Sequence, residues 1–210
     1  DIMLKRYSNK EAVQIVISAA RLYQKNFVGK RILFIAIDKH KNVVSLEAGF
    51  DVSNFQHLTG LLATNDLWSP TYFYNVCISG RLSEKDICFS DNGTTHQKLA
   101  VLKQAFQNSN LSAKMIGNFN HSYPLLYTDK LVGGTKWAIG FKDIGGNGNY
   151  IPNTLLQGDI RNSVHDAHRI IATYIKGVSE KYFKTCIYKV NNIDFGKLKY
   201  PDDWGELPKL

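Results

Sequence analysis

The sequence predicts an α+β fold, with helices and a hairpin in the first half and a mostly antiparallel β-sheet in the second half. Near the start of the chain, apolar residues recur at the spacing of an amphipathic helix. From residue 115 onward the pattern changes to short β-type runs, most of them separated by Gly, Asn, Asp and Pro. Short connections between successive strands favour antiparallel pairing, so helices and sheet are expected to be segregated along the chain.

The first half is expected to place helices around one β-hairpin. Ser8 or Asn9 can cap the first helix and Gly29 follows its end, while Pro70 stands at an early position of the second. The predicted elements are a helix over residues 9–27, strands over 31–37 and 43–50, a short loop or helical turn over 55–62, a helix over 69–79, one turn over 83–86 and a helix over 95–106.

The second half is expected to form the sheet. Its predicted strands cover residues 115–119, 125–131, 135–141, 150–156, 169–176 and 185–190. Residues 1–195 are therefore expected to form a single domain, with the helices and hairpin in about 1–110 and the antiparallel sheet in about 111–195. Residues 196–210 form a tail rich in Pro, Gly and charge that either wraps the domain or stays loose.

Composition and charge favour a globular protein with a polyanionic partner. The hydrophobic fraction of 44% is large enough for a core. Lys and Arg number 26 against 18 Asp and Glu, which gives a net charge of +8 and a pI near 9.3. Such a surplus favours nucleic acid, because each phosphate that is neutralised releases condensed counterions.

The cysteines and the hydropathy suggest a cytoplasmic protein without a membrane partner. Cys77, Cys88 and Cys186 contain no C-x-x-C pair, and an odd, sparse set favours free thiols in a reducing compartment. No apolar run approaches the roughly 20 residues that span a bilayer. The chain starts at Asp1 without a methionine, so we expect a trimmed or partial chain.

Several common catalytic motifs find little support. The glycine-rich segment 145–149 lacks the P-loop pattern and is expected to be a hairpin loop. His165 and His168 lie three residues apart without a second ligand cluster, so a polar loop before the next strand is favoured over a metal site. There is no G-x-S-x-G elbow and no cysteine in a recognisable nucleophile setting, which argues against a covalent intermediate.

A scattered polar set then remains, and it suits metal-independent RNA cleavage. That reaction needs a base for the ribose 2′-OH, an acid for the departing 5′ oxygen and fixed cations for the phosphorane-like transition state, but neither metal nor cofactor. Histidine fits the proton roles, and Lys or Arg fits the phosphate. Each cation taken singly is more often a solvated surface charge, and a histidine beside a turn glycine is often structural. The set is His57, Thr59, Lys98, Lys130, Asn153, Thr154, Arg169 and Lys176.

The order of several motifs resembles a known family, the phage-encoded barnase–EndoU–colicin–RelE-like nuclease domains, in the group numbered four. Together the matching stretches span about residues 10 to 190. They are residues 55–61 with His57, Thr59 and Gly60, residues 91–95 followed by Lys98, and then residues 114–117, 126–133, 150–156, 159–161 and 169–172.

The resemblance implies a toxin-like ribonuclease fold, with helices followed by an antiparallel sheet, and an origin in phages or mobile elements. It makes His57 the general acid or base and Thr59 its support or a phosphate contact. It makes Lys130 and Arg169 phosphate-binding candidates. Thr154 and Asn153 become a strand-borne polar pair, Lys98 and Lys176 further substrate contacts, and His121 the candidate for the second histidine of EndoU-type enzymes.

Other functions stay open at this point. An ADP-ribosyltransferase toxin also has a mostly β core with an early histidine, but the late catalytic glutamate on a strand is missing, since Glu180 lies in a turn-like stretch. A non-catalytic module would use the same basic face to hold RNA or a protein. RNA is the expected partner, specifically tRNA or mRNA, and a cognate inhibitor protein is a further candidate. The oligomeric state is open.

Overall fold

The computed structural model describes residues 5–120 and 128–210, and its first half contains four α-helices. Ser8 caps the first helix in a capping box with Glu11, each side chain accepting the other residue's backbone N–H. Ser69 caps the third, with Pro70 at its first position. Within these residues no helix is long and apolar enough to cross a membrane. The helices are α1 (Asn9–Asn26), α2 (Phe55–Thr59), α3 (Pro70–Ile78) and α4 (Thr94–Phe106).

The strands lie close to the predicted runs, with two additions. A small two-stranded sheet, made of three residues on each side, joins the end of α2 to the segment before α4. Short 3-10 turns precede α2 and two of the strands, and a fourth follows the last strand. The strands are β1 (Lys30–Ile37), β2 (Val43–Gly49), β3 (Leu61–Ala63), β4 (Ile87–Phe89), β5 (Met115–Phe119), β6 (Lys130–Gly133), β7 (Trp137–Asp143), β8 (Tyr150–Gln157), β9 (Val164–Gly177) and β10 (Thr185–Lys189).

The large sheet closes on itself, which corrects the prediction of a mostly antiparallel sheet confined to the second half. Its order is β1-β2-β8-β7-β6-β5-β9, and β9 pairs back with β1. The hairpin β1–β2 is therefore part of a seven-stranded barrel, and β10 pairs with β9 outside the ring. The sheet is mixed, because β2 and β8 run parallel, and Ala48 opposite Tyr150 is their one register pair.

Closure depends on the length of β9, which is 14 residues. Its first part pairs with β5 from Val164 to Arg169, and the remainder pairs with β1 up to Gly177. The prediction of a polar loop at residues 165–168 is wrong, because these residues belong to the strand. The predicted strand 125–131 falls partly outside the described residues, and β6 begins at Lys130.

The main core lies between the helices and one face of the sheet, and Tyr23 stands at its centre. Its ring lies 5.3 Å from that of Phe55 and 5.1 Å from that of Phe106, centroid to centroid. Its hydroxyl donates to the Asp51 carbonyl at 2.8 Å. Burying each such side chain stabilises the fold by roughly 1.5–3 kcal/mol. Because Phe55 and Leu58 are fully buried here, the opposite side of α2 faces solvent.

The C-terminal tail packs against a second cluster on the other face of β1 and β9. Leu198 and Trp204 are buried there beside Leu33. The Lys199 carbonyl accepts from the Val43 amide at 2.8 Å, which attaches the tail to the start of β2. Of the two expectations for this segment, wrapping is the one observed.

Candidate active-site pocket

A pocket of about 210 Å³ opens beside α2, and we call it the His57 pocket. It lies between the end of α2, strand β3 and the start of α4. None of the described residues that line it is acidic, and most carry a hydroxyl, an amide or a cationic group. They are Gln56, His57, Gly60, Leu61, Leu62, Ser90, Asn92, Thr94 and Lys98.

The local sequence turns His57 outward. In a helix as short as α2, the buried Phe55 and Leu58 fix one side against the core, and His57 between them is exposed. A 3-10 turn capped by Asp51 leads directly into the helix. Gly60 then ends it in the left-handed conformation, at φ 72°, as is common at helix C-termini. The imidazole is thereby presented at the mouth of the pocket.

Lys98 reaches the same pocket from α4. Its Nζ donates to the main-chain carbonyl of His57 at 2.8 Å, so it occupies one of the carbonyls that the end of a helix leaves without an intrahelical partner. Burial lowers the pKa of Lys98 to about 8, from the usual 10.5, because the charged ammonium loses solvation. The side chain can therefore change protonation state close to neutral pH.

Gly60 makes room for this lysine. A Cβ built on it would lie 2.8 Å from Cδ of Lys98 and 3.2 Å from Cα of Thr95. At 2.8 Å the lysine side chain would have to shift, and at 3.2 Å the backbone of α4 would have to give by a few tenths of an ångström. Glycine therefore favours both the left-handed turn and the passage of the lysine side chain.

Two threonines hold the frame of the pocket together from behind. The buried hydroxyl of Thr95 donates to the Gly60 carbonyl at 2.6 Å and accepts from the Ser90 amide at 3.1 Å. Thr59, predicted to support His57 or contact phosphate, is fully buried, and its hydroxyl donates to the Gln56 carbonyl. Thr59 therefore shapes the turn and does not face the pocket.

Lys130 lines a different and smaller pocket of about 80 Å³. Its Nζ lies 3.1 Å from Oδ1 of Asn118, and burial lowers the pKa of the lysine. His168 lines the same pocket, although the polar residues around it predict a loop and no substrate contact. His168 pairs with Ile116 and Lys130 pairs with Asn118, two positions further along β5, so both side chains lie on the same face of the sheet. Local sequence patterns do not predict this pairing, because β5 and β9 are far apart along the chain.

The remaining predicted residues lie elsewhere on the barrel. Thr154 is buried, and Oδ1 of Asn153 accepts from the Thr128 hydroxyl at 3.1 Å. Arg169 follows His168 in β9, points to the opposite face and donates to Oδ1 of Asn192.

Lys176 donates to the Lys181 carbonyl at 3.0 Å, near the other end of β9. None of the four residues Asn153, Thr154, Arg169 and Lys176 is among the described residues lining the His57 pocket. His121 lies outside the residues that the structure describes. Of the predicted set, the pocket therefore brings together His57 and Lys98.

Metal-ligating groups are not clustered in residues 5–120 and 128–210. No group of three or more His, Cys, Asp or Glu side chains there could hold an ion. His165 and His168 both lie on β9, three residues apart. Cys77 is buried, Cys88 and Cys186 are exposed, and all three are free thiols.

Comparison with known proteins identifies the family. Searches of curated proteins and of solved structures gave no match. A family model described as phage-Barnase-EndoU-ColicinE5/D-RelE like nuclease 4 matches residues 15–192, which include α2, the His57 pocket and the whole barrel. The chain therefore belongs to this family of phage-associated nuclease-like proteins, as the motif order predicts.

Proposed function

We propose that the protein is a metal-independent endoribonuclease whose catalytic groups are His57 and Lys98. The observation that carries the proposal is their placement in one pocket, with the Lys98 ammonium bonded to the His57 carbonyl at 2.8 Å. Histidine transfers protons readily near pH 7, and the lowered pKa of Lys98 suits a general acid that also neutralises phosphate. The net charge of +8 favours an RNA substrate.

The reaction follows from these two groups. The imidazole of His57 takes the proton from a ribose 2′-OH, and the 2′ oxygen forms a bond to the adjacent phosphorus. The bond from phosphorus to the 5′ oxygen breaks, and the Lys98 ammonium gives that oxygen a proton while it stabilises the charge on the phosphorane. The products are a 2′,3′-cyclic phosphate and a 5′-hydroxyl. DNA lacks the 2′-OH and is not cleaved by this route.

Other residues take supporting roles in this proposal. Asn92 and Thr94 line the pocket and would orient the phosphate. Lys130, Arg169 and Lys176, predicted to contact phosphate or substrate, lie outside the His57 pocket and take no part in the chemical step. Asn153, Thr154 and Thr59 keep the strands and the turn in place.

A cytoplasmic, toxin-like role completes the proposal. The family's link to phages supports a target such as tRNA or mRNA and a cognate inhibitor protein that blocks the pocket. The three free thiols suit a reducing compartment. Residues 1–195 would act as one nuclease domain, with residues 196–210 attached to it through Lys199 and Trp204.

The test is cleavage of total tRNA and mRNA in EDTA, with analysis of the fragment ends. Wild type should give 2′,3′-cyclic phosphate ends, and His57→Ala and Lys98→Ala should each reduce the rate at least 100-fold. His165→Ala is the matched control, because His165 is also an exposed histidine but lies on β9, outside the pocket. A need for added divalent metal, or full activity in His57→Ala, contradicts the mechanism. Labelling of a target from NAD would indicate transferase chemistry, and RNA binding without turnover would indicate a binding module.

A further inference from the structure

A second pocket of about 560 Å³ adjoins the His57 pocket and shares Gln56 and Leu62 with it. We propose that this second pocket binds an unpaired nucleobase next to the scissile phosphate, so that the substrate is single-stranded RNA. This inference rests on the proposed function for the identity of the neighbouring phosphate. The pocket, which we call the base pocket, is lined by Gln56, Leu62, Ala63, Thr64, Asn65, Asp66, Trp68 and Cys88.

An aromatic pair stands at the edge of the base pocket. The rings of Trp68 and Tyr72 meet edge to face with their centroids 5.0 Å apart. Tyr72 is 49% exposed, and Leu62 and Leu67 beside this segment are 51% and 91% exposed. Side chains of this kind are normally buried, whereas single-stranded bases stack on exposed aromatic rings with little regard to sequence. This aromatic and apolar surface lies directly beside a polar pocket that contains a lysine.

The two pockets differ in charge and therefore suit different parts of a nucleotide. The His57 pocket holds Lys98 and no acidic residue among its described lining, and it therefore suits a phosphate. The base pocket holds Asp66 and no lysine or arginine among its described lining, so a phosphate is repelled there. A neutral base is accepted, and the sugar–phosphate chain then passes over Gln56 and Leu62 from one pocket to the other.

Polar groups in the base pocket have free capacity for a base edge. The side-chain oxygen of Asn65 accepts from the Leu67 amide, which leaves its NH₂ group to donate. The carboxylate of Asp66 has no hydrogen bond or ion pair within the described part of the chain. At C4 cytosine presents an amino group, from which a carboxylate accepts a hydrogen bond, whereas uracil presents a carbonyl oxygen, which a carboxylate repels. The base pocket is therefore expected to prefer cytosine over uracil.

The base pocket should also discriminate between unpaired and paired bases. In a duplex each base is stacked and its Watson–Crick edge is occupied, so it cannot enter the base pocket without being flipped out. An unpaired base carries no such cost. Single-stranded loops and ends are thus favoured over duplex RNA at this site.

The test is oligonucleotide binding to the full chain, read by intrinsic fluorescence. Trp68 is the partly exposed tryptophan, whereas Trp137 and Trp204 are 4% and 7% exposed, so quenching on binding reports on Trp68. The probes are 2′-fluoro RNA strands about eight nucleotides long, because they lack the 2′-OH nucleophile and cannot be cut. Single-stranded adenine or cytosine probes should quench emission, and a duplex of the same length should bind at least tenfold more weakly.

Variants separate stacking from a structural effect. Tyr72→Ala should weaken binding roughly tenfold, by the loss of one stacked ring. Asp66→Asn should abolish the preference for cytosine over uracil. Val178→Ala is the matched control, since Val178 is 64% exposed and lines neither pocket. Trp68→Ala removes the signal and is followed by filter binding, with circular dichroism to check the fold.

Each outcome decides the inference. Equal quenching by duplex and single strand, or unchanged affinity in Tyr72→Ala and Trp68→Ala, overturns it. Absence of quenching by every oligonucleotide also overturns it. Quenching by single strands without any cleavage of ordinary RNA supports the base pocket while the proposed ribonuclease activity fails, so the two failures are distinguishable.

Discussion

Replacing Gly60 with alanine should destabilise the protein more than the same change at Gly93, although the two backbones are nearly alike. Gly60 has φ 72° and Gly93 has φ 73°, and each borders a helix, Gly60 after the last residue of α2 and Gly93 before the first residue of α4. They differ in what surrounds them. A Cβ at Gly60 meets Cδ of Lys98 at 2.8 Å, whereas a Cβ at Gly93 has no atom within 4 Å.

The expected magnitudes follow from this difference. A left-handed backbone costs a residue with a side chain about 1–2 kcal/mol, and both variants lose this amount. Gly60→Ala loses in addition about 1–3 kcal/mol, because the new methyl group overpacks a filled site. The Cα of Thr95 at 3.2 Å belongs to the backbone of α4 and cannot swing away. We therefore expect the free energy of unfolding to fall by roughly 2–5 kcal/mol at Gly60 and by roughly 1–2 kcal/mol at Gly93.

The assay is chemical denaturation followed by circular dichroism, extended to a double-mutant cycle. Lys98→Ala removes the Cδ atom that the new methyl group would meet. Gly60→Ala should therefore cost less in the Lys98→Ala background than in wild type, by about 1 kcal/mol or more. The backbone contact with Thr95 persists, so the relief is partial.

Two results would refute the reasoning. Equal losses at Gly60 and Gly93 would mean that the lysine does not pass over the glycine. Additive losses of Gly60→Ala and Lys98→Ala would mean that the two residues are not in contact. In either case Lys98 would not pack against Gly60, and its placement in the His57 pocket would be wrong.

Three further predictions concern stability and pH. Thr95→Val should lower the free energy of unfolding by roughly 1–3 kcal/mol, because two backbone groups lose their buried hydrogen-bond partner. Thr94→Val is the control and should change the denaturation midpoint little, since the hydrogen bond of the Thr94 hydroxyl lies at the surface. The wild type should gain stability over Lys98→Met as pH rises from about 8 towards 10.5, because in this window the unfolded lysine holds a proton that the folded one has released. A stability difference between the two proteins that does not change over this pH range would contradict the buried position of Lys98. Gly140→Ala should cost roughly 1–3 kcal/mol, since its Cβ would lie 2.6 Å from a threonine methyl carbon, while Gly134→Ala, with nothing within 4 Å, serves as its control in the same melts.

Local periodicity predicted most of the elements but not the way in which they join. The helix at residues 9–26 and the strand at 115–119 follow from spacing and turn residues alone. Strands β3 and β4 are three residues long, too short for an alternation to be visible. Barrel closure depends on pairing between β1 and β9, and such long-range contacts leave no mark on either segment.

The candidate site was predictable in its parts and not in its geometry. His57 and Lys98 each stand in a motif, yet they are 41 residues apart and meet only because α2 and α4 pack side by side. The resemblance of the motif around His57 implies that the Thr59 hydroxyl supports the histidine or contacts phosphate. Burial of Leu58 and Thr59 against the core turned that hydroxyl inward, and burial is decided by the whole fold.

The single register pair between β2 and β8 gives the barrel a seam. Every other pair of neighbouring strands in the ring is joined by four or more register pairs, so separating two strands costs least between Ala48 and Tyr150. Thermal fluctuations should open the ring there while the hairpin and the β7–β8 ladder persist. Amide hydrogens along the facing edges of β2 and β8 should then exchange with deuterated solvent ahead of those in β1 and β9. The barrel should therefore open locally between β2 and β8 before the protein unfolds globally.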